Sequence, residues 1–82
     1  MNKEKKKSLE GLVKAINADN AEFDTFYTFE AHPFERGQYH VDISTDMTMF
    51  DTDLRRFVVW ASDNNVLCWA SAHHSYLTLH LQ

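Results

Sequence analysis

The sequence predicts an α+β domain of order αββαββ, a four-stranded, mainly antiparallel sheet with two helices on one face. Two apolar stripes recur at helical spacing, around Leu9–Ile16 and Leu54–Ala61. Two stretches alternate with period two, Tyr39, Val41, Ile43 and Leu77, Leu79, Leu81. Turn chemistry separates them, at Arg36-Gly37, Asn64-Asn65 and His73-His74-Ser75.

The first helix carries Leu9, Leu12, Val13 and Ile16 at i, i+3, i+4 and i+7, one apolar stripe. Glu10 and Lys14 stand four apart on its wet side. Lysines 3, 5, 6 and 7 oppose the helix dipole, so residues 1–8 are expected to be a basic, partly frayed start. Asp19-Asn20 ends the element.

Residues 23–32 are rich in aromatic and β-branched side chains and form the first strand. Phe23, Thr25, Tyr27, Phe29 and Ala31 share one face; Asp24, Phe26, Thr28, Glu30 and His32 share the other. His32-Pro33 imposes an extended break. The second strand, residues 38–44, turns Tyr39, Val41 and Ile43 inward and closes a hairpin. Met47, Met49 and Phe50 suit either a strand extension or a loop.

Asp51 or Thr52 caps the second helix, which runs to about Asp63 with Leu54, Phe57, Val58 and Ala61 as its buried stripe. Asp51 with Arg55, and Asp53 with Arg56, are spaced for pairing within it. Residues 66–72 are nearly all apolar, which suits a strand buried on both sides. Residues 76–82 alternate again. The sheet order stays open, and the crossover through the second helix allows two strands to run parallel.

With 82 residues the chain is read as a single domain, one that buries only about 60–65% of its unfolded surface. Cys68 is its one cysteine, so disulfides add nothing; this and the lack of a translocation or membrane segment point to a cytoplasmic protein. The net charge of −4 is uneven. Residues 1–8 set four lysines against Glu4, a balance of +3; the rest sets Lys14, Arg36, Arg55 and Arg56 against eleven carboxylates, a balance of −7. An acidic body repels phosphate backbones and attracts basic partner surfaces.

Candidate chemistry is sparse. His32, His40 and His80 would share the open sheet face if the hairpins lie side by side, but no pair has zinc-ligand spacing, so no metal or cofactor is expected. Cys68 sits in the most apolar run and reads as a packed thiol. Asp51 and Asp53 suit a helix N-terminus without further chemistry. Gly11 and Gly37 make no phosphate loop. Aromatics on a sheet can stack bases, but the strands carry Asp24, Glu30, Glu35 and Asp42 against Arg36 alone, which disfavours nucleic acid. No nucleophile, base and stabiliser come together, so no enzyme is expected.

An apolar surplus remains, with rings on both faces of the first strand and an apolar third strand. Two helices cover one sheet face, so a partner protein or a second copy is expected to cover the other. The reading is a non-enzymatic acidic interaction module, an inhibitor that docks on a basic surface of a nucleic-acid-handling complex. Small acidic anti-CRISPR and anti-restriction inhibitors of phages and mobile elements have this general size and charge, a likeness of character that covers no motif. The expected binding residues are Asp24, Glu30, Glu35, Asp42 and Asp46, with Phe34 and Tyr76 as aromatic anchors. The alternative is a structural or regulatory homodimer joined through the open sheet face.

Overall fold

The computed structural model describes residues 1–22, 26–43, 51–72 and 77–82. Its elements are α1 (Lys3–Asp19), β1 (Tyr27–Ala31), β2 (Tyr39–Ile43), α2 (Asp51–Asp63), β3 (Cys68–Ala72) and β4 (Leu77–Leu81). The order αββαββ and the four-stranded sheet are as expected. Strands lie in the order β1-β2-β4-β3, and every pair is antiparallel, so the crossover through α2 creates no parallel pair. It carries the chain to the far edge, from which β4 returns to β2.

Helix α1 starts at Lys3 because Asn2 caps it: its side-chain oxygen accepts from the Lys5 amide at 2.8 Å. Leu9, Val13 and Ile16 are its buried stripe. Near its end Asn17 grips the start of β1, donating to the Tyr27 carbonyl at 2.9 Å and accepting from the Tyr27 amide at 2.8 Å. The amide side chain thus serves Tyr27 as a neighbouring strand would, and locks helix to sheet.

Tyr27, Val41, Leu79 and Leu81, all of one strand parity, join Leu9, Val13, Ile16, Phe57 and Ala61 in one buried cluster. Tyr27 and Phe57 meet edge to face, with centroids 5.8 Å apart. Helix α2 is rotated from its expected setting. Val58 is 49% exposed, whereas Asp53 is 4% exposed beside half-buried Leu54 and Trp60. Two donors draw Asp53 inward, the Tyr27 hydroxyl at 2.7 Å and the Asn20 side-chain amide at 2.9 Å. The expected Asp53–Arg56 pair gives way accordingly, and Arg56 bonds Asp19 of α1 at 2.7 Å.

Strand β3 is not buried on both sides. It is an edge, with Leu67 just before it 68% exposed and Trp69 40% exposed. The alternating β4 takes the central place. Both turns flanked by described residues use the left-handed region, Gly37 at φ 80° and Asn65 at φ 54°. Among the described residues, no helix is long and apolar enough to cross a membrane. Residues 23–25, 44–50 and 73–76, and the expectations attached to them, lie outside the described residues.

Candidate functional site

The parity that sends Tyr27, Val41 and Leu79 to the core leaves a polar set on the other side of the sheet. Register aligns Glu30, His40, His80 and Trp69 across all four strands, and Thr28, Asp42, Thr78 and Ser71 in the next row. Because β2 lies beside β4, the two hairpins are neighbours. His32, His40 and His80 therefore meet, with ring centroids 6.2 to 6.4 Å apart.

The three imidazoles have different duties. His32 Nδ1 accepts from the backbone amides of Phe34 at 3.2 Å and Glu35 at 3.0 Å, which places the proton of the neutral ring on Nε2. His80 lies with Nδ1 3.3 Å from the Gln38 amide nitrogen and Nε2 2.9 Å from Ser71 Oγ, and stacks on Trp69 at 5.3 Å. With Gln38 donating to Nδ1, the His80 proton sits on Nε2 and points at Ser71. A base that activates serine needs the opposite arrangement. His40 Nε2 faces two carboxylates, Asp42 at 3.3 Å and Glu30 at 3.5 Å. The Thr78 hydroxyl donates to the other oxygen of Asp42 and steadies it.

The expected partner-binding residues separate into distinct settings. Glu30 is largely exposed, Phe34 is 90% exposed and Glu35 is exposed, all at or beside the β1–β2 loop. Asp42 is no free surface charge; it is half-buried and shared between His40 and Thr78. Asp24, Asp46 and Tyr76 lie outside the described residues. Histidine as a loop cap escaped the sequence reading, because that role is usually sought in Asn, Asp, Ser and Thr. The visible signal was an acceptor side chain placed two and three residues before amides in a Pro-containing turn.

Asp51 is exposed and Asp53 buried, so these two carboxylates do not form an acid pair. Burial pushes the Cys68 thiol above its ordinary 9.0. The neutral thiol therefore contributes stability below pH 9, which is lost as pH rises through the higher folded-state value. Iodoacetamide is expected to alkylate Cys68 more slowly in the folded chain than in urea at the same pH; equal rates would contradict a shielded thiol. An open groove lined by Leu12, Thr52, Arg55, Arg56 and Val59 has one of its two cations already tied to Asp19.

No family model, curated protein or solved structure matches this chain, so its own residues carry the functional reading.

Proposed function

We propose that this domain is a non-enzymatic interaction module that presses an aromatic, acidic surface onto a basic surface of another protein. The observation that carries this reading is Phe34, 90% exposed on a firmly held loop. His32 Nδ1 binds the amides of Phe34 and Glu35, the Gln38 amide donates to the Glu35 carbonyl at 3.2 Å, and the His32 amide donates to the Gln38 carbonyl at 2.8 Å. A ring left in water forgoes about 1.5–3 kcal/mol of burial, which a partner's pocket would recover. Because the loop is already ordered, docking costs little further conformational entropy.

Charge selects the partner. Glu35 follows the ring in sequence and is exposed, and Glu30 is exposed on the preceding strand, on a body whose balance is −7 beyond residue 8. Proteins that hold nucleic acid present basic surfaces shaped for phosphate, and an acidic module competes for such a surface. The proposed action is accordingly inhibition of a nucleic-acid-handling complex.

The test is capture of partners from the natural host with the wild-type chain, Phe34→Ala and Glu35→Lys in parallel. A nucleic-acid-handling protein should be retained by the wild type alone, released by moderate salt, and bound at least about tenfold more weakly by either variant. Binding indifferent to salt and to both substitutions would refute the reading. Asp42→Lys is a poorer probe, since it would also disturb His40 and Thr78.

A small structural or regulatory homodimer is the second reading, favoured by the β3 edge, where Leu67 and Trp69 stand exposed on a strand that pairs only with β4 among the described residues. Light scattering decides it: a stable dimer that Trp69→Lys dissociates supports this reading, and a monomer removes it.

A further inference from the structure

We infer that Glu30, His40 and Asp42 form a binding site for a divalent transition-metal ion of the zinc class. One ligand atom from each lies within 4.8 Å of the other two. Zinc binds imidazole nitrogen and carboxylate oxygen at roughly 2.0–2.2 Å, so neighbouring ligands of a tetrahedral ion stand about 3.3–3.6 Å apart. His40 Nε2 stands 3.3 Å from Asp42 Oδ2 and 3.5 Å from Glu30 Oε2. Both separations match that edge, and both exceed the usual N–H···O hydrogen bond of about 2.9–3.0 Å.

One nitrogen proton can point at only one of the two carboxylates. A cation satisfies both oxygens and the nitrogen lone pair together, and relieves the repulsion between the carboxylates. Thr78 supports the arrangement from behind: by donating to Asp42 Oδ1 it leaves Oδ2 turned toward His40, the outer-shell orientation that metal carboxylates use. Strand pairing fixes the spacing, since Glu30 and His40 are register partners and Asp42 is two residues along β2 on the same face.

The neighbouring histidines are not ligands. His32 Nδ1 accepts two backbone amides, so its proton occupies Nε2, the nitrogen a metal would need. His80 engages Gln38 and Ser71 through its two nitrogens. The set is therefore one imidazole and two carboxylates, three protein ligands with a further position for water or a partner's donor. Glu30 is largely exposed, which gives the ion a path from solvent.

The experiment titrates the metal-stripped full chain with ZnCl2 against a chromophoric chelator, with Co2+ absorption as a second readout of coordination. One equivalent of Zn2+ is expected, with Mg2+ far weaker. Glu30→Gln, an exposed change that leaves the fold intact, and His40→Gln should each weaken binding at least tenfold, and Thr78→Val by a smaller factor. His80→Gln and the double variant His73→Gln/His74→Gln should retain it. The site is overturned if wild type binds no better than Glu30→Gln and His40→Gln, or if the loss follows His80 or the His73/His74 pair. Circular dichroism of each variant separates lost ligation from lost fold.

Discussion

Phe57→Ala is expected to lower the unfolding free energy by about 3–5 kcal/mol, read as a fall in the urea midpoint with little change in slope. Phe57 is fully buried and is the largest side chain that α2 buries completely in the core. Its removal takes away the burial of one ring and the edge contact to Tyr27, and leaves a void between helix and sheet. Domains of this size sit near the lower end of the usual 5–15 kcal/mol of stability, so the variant should be substantially unfolded at 37 °C. A loss below about 1 kcal/mol would mean that the core closes around the gap, contrary to the packing described.

Asp53→Ala should be nearly as damaging, for a different reason. The wild-type carboxylate receives the Tyr27 hydroxyl and the Asn20 amide, and all three groups are buried. Truncation takes an acceptor from both buried donors at a cost of roughly 1–3 kcal/mol each. The diagnostic is non-additivity. In a Tyr27→Phe background one donor is already gone, so Asp53→Ala should cost less than it does in the wild type, with a coupling of about 0.5–3 kcal/mol in chemical denaturation. Additive losses would show that Asp53 acts alone, through helix capping or solvation.

Element order was legible because it rests on local periodicity. Leu9, Val13 and Ile16 announce a helix, and Val41, Leu79 and Leu81 announce inward strand faces, wherever the rest of the chain goes. What depended on distant residues was less legible. The rotation of α2 follows from donors on Asn20 and Tyr27, more than twenty residues from Asp53, so local spacing points Val58 to the core and pairs Asp53 with Arg56, which the fold does not. The run at residues 66–72 has the composition of a central strand but occupies an edge, a fact of sheet order that composition does not contain.

The candidate sites divide along the same line. That Glu30, His40 and His80 share a face is a matter of parity, visible once the hairpins are side by side. That Glu30 stands directly across from His40 is a matter of register, which the β1–β2 pairing supplies. Phe34 is legible as a candidate aromatic anchor, but its exposure is a fact of the fold. His32 reads in the sequence as a break before proline and a member of the polar face; that its Nδ1 caps the loop depends on the fold.

The pairing of β2 with β4 has a kinetic meaning. Each half of the chain can draft its helix and hairpin from nearby residues, but neither draft is sealed until backbone segments about forty positions apart find one another, Tyr39 beside Leu81 and Asp42 beside Thr78. That closure costs loop entropy before any contact rewards it, so the slow step of folding is expected at the seam. The seam also joins the halves: it sets Val41 of the first half against Leu79 of the second, and His40 against His80, so the shared interior and the histidine row rest on one pairing.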